Sequence, residues 1–286
     1  MDVGIGLPNS LHGVRGRELV DWAAKAEHRG FSVLGSIGRI VYDTHEEMVA
    51  FAAAAAVTER IALMPSVMIA PPRQAALLAK QAATLDHIAE GRFRLGMGTG
   101  WRPDDYNVMG ASFATRGAAM DALLDALEAT WSGRPLPGAD APVGPPPYTD
   151  GGPTIVLGGG RGRALERAGQ RAGAWISTPG APDDIATNYK TVCTAAERAG
   201  RRAPRFLASG YYALGDVDDE ASGNVASYYA FGGTEFVEMM QGVVLRTPEQ
   251  ITAYLSVMEG IGAEEVCLWP QARGIEQVDA LADIVL

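Results

Sequence analysis

The sequence predicts a (β/α)8 barrel over one domain, residues 1–286. Two observations carry this. Eight short apolar segments alternate with helical segments along the chain, which favours a parallel sheet, and the count of eight favours closure. The strand segments, IALMPSVMI and TIVL among them, are apolar almost throughout, as strands buried on both faces are.

Residues 3–7 form the first strand and 8–16 a loop. Residues 17–29 read as a helix, with Leu19, Trp22, Ala23 and Ala26 on one face, stopped by Gly30. Residues 32–37 are the second strand. Thr44 is expected to cap the next helix, with Glu46 and Glu47 favouring its positive end and Met48, Phe51, Ala52 and Ala55 on its buried face. Residues 61–69 are the third strand, 73–89 a helix and 93–97 the fourth strand. A helix over 116–131 precedes a Pro, Gly and Asp-rich stretch, 132–152. That stretch reads as a surface linker, because regular alternation resumes beyond it.

Residues 154–157 are the fifth strand, 163–170 a helix, 174–177 the sixth strand, 183–199 a helix and 205–214 the seventh strand. Residues 218–243 form a longer, less regular helical insertion. Thr247 caps a helix that has Pro248 at its first position and Glu249 and Gln250 behind it. Residues 265–269 are the eighth strand and 275–285 the closing helix. In such a barrel the site lies at the C-terminal ends of the strands, so candidate residues are those that follow strands.

Composition narrows the function. The chain is 47% hydrophobic and 20% charged, normal for a globular enzyme. A net charge of −10 argues against a nucleic-acid or anionic membrane surface. MDVGIGLPNS shows no signal-peptide pattern, and no apolar run is long enough to span a membrane. Two distant cysteines, Cys193 and Cys267, fit a reducing compartment, and a cytoplasmic location is expected. No HxH or HExxH spacing supports a metal site. No Gly-x-Ser-x-Gly turn and no Gly-x-Gly-x-x-Gly after the first strand appear.

Residues 80–110, KQAATLDHIAEGRFRLGMGTGWRPDDYNVMG, read as helix, turn, strand and glycine-rich opening. Leu78, Ala82, Leu85 and Ala89 share a face, and Gly91 ends the helix. Gly96, Gly98 and Gly100 permit either close approach to a ligand or a tight barrel loop. This run, with the acidic and aromatic loop of Asp104, Asp105 and Tyr106, resembles the bacterial-luciferase-like superfamily of flavin- and deazaflavin-dependent oxidoreductases. The likeness extends from Val3 to Leu286.

After the fifth strand, Gly158, Gly159, Gly160, Arg161 and Gly162 lead into a helix. Glycine N–H groups at a helix N-terminus make an anion site and Arg161 adds charge; a plain turn is the alternative. The resemblance implies that the cofactor phosphate binds there, and Gly159→Asp is expected to block it. It also implies that Ser66 and Val67 form a bulge behind the cofactor ring, often with a non-prolyl cis bond in deazaflavin-dependent members; otherwise they fill the barrel. Relatives carry an acid then His or Arg after the second strand, whereas this chain has Gly38 and Arg39. Arg39 would contact the ring's polar edge or pair with a loop carboxylate.

The resemblance further implies that Thr99, Gly100 and Trp101 face the cofactor, with Tyr106 and Asn107 near the substrate. Trp101 stands where deazaflavin-type glucose-6-phosphate dehydrogenases carry a catalytic Glu, so that activity is not expected. Ser209, Tyr211, Tyr212, Trp269 and Gln271 are pocket walls or core. Of the four histidines, His28, His45 and His87 read as surface residues. His12, after the first strand, and Tyr106 are the candidate acid–base groups. No carboxylate orienter for His12 is evident, so His12→Ala is expected to cost little activity.

The expected function is an oxidoreductase using a flavin-type cofactor, coenzyme F420 in preference to FMN, for hydride transfer to or from a small organic substrate. Alternatives are an FMN-dependent monooxygenase, a methylene-tetrahydropterin reductase and a flavin-binding protein without turnover. A homodimer is expected, because residues 46–58 and 73–89 carry many small side chains.

Overall fold

The structure is a computed structural model that describes residues 1–286. It alternates strands and helices: β1 (Asp2–Gly6), α1 (Gly16–Arg29), β2 (Val33–Ser36), α2 (Glu47–Ala55), β3 (Ala62–Pro65), β4 (Met68–Ile69), α3 (Ala75–Ile88) and β5 (Arg94–Gly98). Then follow α4 (Pro103–Val108), α5 (Arg116–Trp131), β6 (Thr154–Gly158), α6 (Arg163–Arg171), β7 (Ala174–Ile176), α7 (Pro182–Arg198) and β8 (Arg205–Tyr212). The chain finishes with α8 (Asp218–Tyr229), a 3-10 turn, α9 (Thr234–Gly242), β9 (Val244–Leu245), α10 (Pro248–Gly260), β10 (Glu265–Pro270) and α11 (Glu276–Val285).

All strand pairs are parallel, in the order β3, β2, β1, β10, β8, β7, β6, β5, β4, with β9 added beside β8. A parallel bridge from Leu63 to Phe93 joins β3 to the chain entering β5 and closes the ring. β3 and β4 are therefore two halves of one bent strand, which gives the predicted eight-stranded barrel. The expected continuous strand over 61–69 is interrupted at Ser66 and Val67, whose peptide bond is cis.

The interruption explains the glycines of β5. A Cβ on Gly96 would lie 1.7 Å from the Pro65 carbonyl oxygen, and one on Gly98 would lie 2.5 Å from Val67 Cγ2. These glycines make room for the chain's own bulge, and the ligand-approach reading of these two is corrected accordingly. Val67 also sits against Gly158, 3.1 Å from its would-be Cβ.

Side chains alternate between the two faces of each strand. One cluster of 16 buried residues fills the barrel, including Val33, Met64, Val156, Leu207, Tyr211, Cys267 and Trp269. A larger one of 49 packs the outer strand faces against the helices, with Trp22, Phe51, Leu78, Trp175 and Phe206 among them. The interior cluster runs on into Val225 and Tyr229 of α8 and Met240 of α9, so the insertion covers the C-terminal mouth of the barrel. At the opposite end, Arg94 Nη1 donates to both oxygens of Glu265, at 2.9 and 2.8 Å.

Several local expectations need revision. The cap of α2 is Glu46, whose carboxylate accepts from the Val49 N–H at 2.9 Å; Thr44 instead donates to the Arg39 carbonyl at 2.9 Å. The acidic stretch after β5 is the short helix α4, started by Pro103, not a loop. β9 had no sequence signal beyond two apolar residues. The capping box at Thr247 and Gln250 forms as read from the sequence. The 132–152 stretch does lie over α3: buried Asp86 accepts from the Thr149 N–H at 2.7 Å, and Lys80 donates to the Gly144 carbonyl at 2.6 Å. No helix is long and apolar enough to cross a membrane, and no group of His, Cys, Asp and Glu is arranged to hold a metal ion.

Candidate cofactor site

The residues singled out from the sequence fall at the C-terminal end of the barrel, where two features bear on binding. The first is the loop after β6. The N–H groups of Gly159, Gly160, Arg161 and Gly162 donate to no group of the chain, while the Gly159 carbonyl is anchored by Trp175 Nε1 at 2.9 Å. Gly159 and Gly162 have φ of +139° and +47°, where a side chain is strained. Thr178 Oγ1 and Asn188 Nδ2 lie 3.4 and 3.6 Å from where a Cβ on Gly160 would be. Arg161 is exposed and makes no ion pair. Free N–H groups, side-chain donors and an unpaired cation at the start of α6 fit an anionic group.

The second feature is a set of buried polar atoms without partners: Trp269 Nε1, Arg39 Nε, Arg102 Nη1 and Asn9 Oδ1. They come from the ends of β10, β2, β5 and β1. A buried unpaired donor costs about 1–3 kcal/mol, so a cluster at one barrel end fits a polar ligand edge. Gly6 leaves room for the Trp269 indole, since a Cβ there would lie 2.1 Å from its Cδ1.

Arg39 contacts no carboxylate. It donates to the Tyr228 carbonyl at 2.8 Å and the Val41 carbonyl at 3.0 Å, and stacks over Tyr42 at 4.4 Å. Trp101, expected to face the cofactor, is 58% exposed and packs edge-on against Phe231 and Phe236 of the insertion. Tyr106 is buried, and its hydroxyl donates to the Thr99 carbonyl at 2.6 Å. Burial pushes its pKa up to about 12. It holds the Thr99 turn in place rather than presenting a free proton. Ser66 donates to the Met64 carbonyl at 3.0 Å, fixing the bulge from within. Asp105 takes the N–H groups of Ile40 and Val41 at 2.9 and 2.8 Å and so ties α4 to the loop after β2.

Tyr211 points inward from β8 and its hydroxyl bonds that of Tyr229; burial pushes the Tyr211 pKa up to about 12 and that of Tyr229 well above the usual value. Both remain protonated at neutral pH.

His12 has the orienter that sequence reading missed. Asp43 Oδ2 lies 3.3 Å from its Nδ1, while Ser227 Oγ and the Tyr42 hydroxyl lie 2.7 and 2.9 Å from its Nε2. Only folding brings residues 12, 43 and 227 together. Because Nε2 faces hydroxyls of the same chain, the cluster works as a clasp between α8 and the loops after β1 and β2. His12→Ala is expected to speed amide hydrogen exchange across α8 and to lower turnover by less than the ~100-fold expected for loss of a general acid or base. A larger loss with unchanged exchange would make His12 a proton carrier instead.

Glu47 makes a second juxtaposition that sequence reading missed. Read as a helix-dipole acid, it is buried at the end of β2, with its carboxylate where a side chain on Gly38 would be. Its only sequence signal is that an acid begins α2 nine positions after a glycine.

Comparisons with known proteins agree with this fold. The family model for luciferase-like monooxygenases matches residues 1–265. An uncharacterised protein of Mycobacterium tuberculosis is 33% identical over 171 residues, 56% of this chain and 57% of its own length. The chain thus matches about half the length of such curated relatives. Among solved structures, a monooxygenase from Streptomyces bottropensis superposes with a TM-score of 0.83 at 19% identity, covering 99% of this chain and 97% of that one. The coenzyme F420-dependent tetrahydromethanopterin reductase of Methanopyrus kandleri gives 0.79 at 16% identity, covering 100% and 99%. The FMN-bound oxygenating constituent of 3,6-diketocamphane monooxygenase of Pseudomonas putida gives 0.75 at 21% identity, covering 99% and 94%. At such identities the structures speak for the fold alone. The match of the family model over nearly the whole chain establishes the wider point: this protein belongs to the luciferase-like monooxygenase family.

Proposed function

We propose that the protein is an oxidoreductase that binds a flavin-type cofactor across the C-terminal mouth of its barrel, coenzyme F420 in preference to FMN, and acts on a small organic substrate. One observation carries the reading: unpaired backbone N–H groups before α6 and unpaired buried polar atoms following β1, β2, β5 and in β10 lie at the same barrel end. The loop of Gly159, Gly160, Arg161 and Gly162 would hold the phosphate. Trp269 Nε1, Arg39 and Arg102 would donate to the polar ring edge, and Val67 would back the ring. When bound, the cofactor supplies the hydride chemistry; the chain supplies binding, orientation and exclusion of water. The buried tyrosines Tyr211 and Tyr229 keep their protonated hydroxyls on each other.

Oxygen consumption separates the two cofactors. With reduced FMN a monooxygenase consumes oxygen, whereas with reduced F420 oxygen uptake is expected to stay at the buffer level while a substrate is reduced. Uptake above buffer with FMN, and no substrate-dependent oxidation of F420, would favour the monooxygenase reading.

The assembly we propose is a homodimer through α2 and α3. Val49, on α2, and Leu77, on α3, are 70% and 56% exposed, and Ala53, Ala56 and Ala76 beside them are small enough for close helix packing. Sedimentation at micromolar concentration is expected to give twice the chain mass. A single species near 30.1 kDa would exclude a stable dimer.

A further inference from the structure

Two carboxyls are buried at the cofactor end of the barrel, and they are used differently. Asp105 is fully committed, with one oxygen on two backbone N–H groups and the other on Arg102 Nε at 3.3 Å. Glu47 is not. Its Oε2 accepts from Arg73 Nη2 at 3.0 Å, and its Oε1 takes no hydrogen bond from another residue. The side chain is 5% exposed. A Cβ built on Gly38 would fall 1.5 Å from Glu47 Oε1 and 2.3 Å from its Cδ. The carboxyl therefore lies over the backbone at the end of β2, in the space a side chain at position 38 would take. Gly38 is what makes this approach possible.

We propose that Glu47 is the proton-handling group of the cofactor site, delivered to the end of β2 from α2 through the opening left by Gly38. This rests on the reading of that barrel end as a flavin-type cofactor site. For a hydroxyl-bearing substrate the balance is simple. The Glu47 carboxylate would take the hydroxyl proton and so become protonated, and a bound oxidised cofactor would supply the hydride acceptor that balances formation of a carbonyl product. In the reverse direction a protonated Glu47 would return its proton to the oxygen, and a bound reduced cofactor would supply the hydride.

The surroundings suit that role. Burial raises the Glu47 pKa, with Arg73 opposing and the neighbouring Glu46 reinforcing the rise. Glu46 itself shares Arg73, accepting from Nη1 at 2.7 Å. From α8, Tyr228 faces the same space, and its hydroxyl feels Glu47, Arg102 and Asp105. Arg39 is turned to the Tyr228 and Val41 carbonyls. A carboxyl raised above its ordinary range holds a proton more readily than an exposed one and can still give it up to a developing base.

The test needs no turnover. In protein labelled with 13C at glutamate carboxyls, the resonance missing from Glu47→Gln is expected to titrate above the range of exposed glutamates. Calorimetry of FMN and of F420 binding, each in two buffers of different ionisation enthalpy, then counts protons. Wild type is expected to take up part of a proton on binding, because the ring further desolvates the carboxyl. Glu47→Gln should show none while its Kd stays within about 10-fold. Gly38→Asp combined with Glu47→Ala, which places an acid back on the strand end, should restore uptake; a residue serving only as Arg73's partner would not be replaced so. An ordinary titration of the Glu47 resonance, or equal proton uptake in Glu47→Gln, overturns the proposal while leaving the cofactor site standing. Failure of wild type to bind either cofactor overturns the site itself, and the role of Glu47 with it.

Discussion

Gly160→Asp is expected to weaken cofactor binding by about 100-fold or more while leaving the fold intact. The new carboxylate would stand among the free N–H groups of Gly159, Arg161 and Gly162, replacing the anion they would otherwise hold. Loss of hydrogen bonds to a charged group costs about 1.5–3 kcal/mol each, and two such losses give at least that factor. Gly160 is a cleaner position than Gly159. At Gly159 a Cβ would lie 2.7 Å from the Ala164 Cβ and φ is +139°, so any side chain there disturbs the loop whatever its charge. At Gly160 the nearest atom is Thr178 Oγ1, at 3.4 Å. Unchanged affinity in a folded Gly160→Asp protein would remove the phosphate from this loop.

Arg94→Met should destabilise the protein by about 3–5 kcal/mol, the usual cost of stranding a buried charge. Glu265 is 1% exposed inside the barrel floor, and Arg94 donates to both of its oxygens. The expected reading is a lower urea midpoint with an unchanged slope. Replacing both residues, Arg94→Met with Glu265→Leu, should recover most of the loss, because an apolar pair no longer carries a desolvation cost. A single variant as stable as wild type would show that water reaches Glu265 from below.

The barrel was legible in the sequence because its signals are local. Helical periodicity, glycine stops and the Thr247 capping box each lie within a few residues. So was the glycine turn between β6 and α6, which needs only glycines between a strand and a helix. What escaped were juxtapositions made by closure. Gly96 and Gly98 looked like approaches to a ligand because the strand that leans over them, at Pro65 and Val67, is some thirty residues earlier in the chain. Asp43 could not be matched to His12, nor Glu47 to Gly38, without knowing how the loops after β1 and β2 fold back. Tyr106 looked chemical because it follows a strand, but burial and the Thr99 carbonyl make it structural.

In the proposed function one flavin-type cofactor would span the mouth of the barrel, anchored at the loop after β6 and met by the unpaired Trp269 Nε1, Arg39 Nε and Arg102 Nη1. Fluorescence titration of the purified protein with FMN and with F420 tests it most directly, with Gly160→Asp and Trp269→Phe alongside. Saturable, one-to-one quenching with at least one of them is expected, weakened strongly by Gly160→Asp and less by Trp269→Phe, which removes a single donor. No saturable change with either cofactor, or equal affinity in all three proteins, would contradict it.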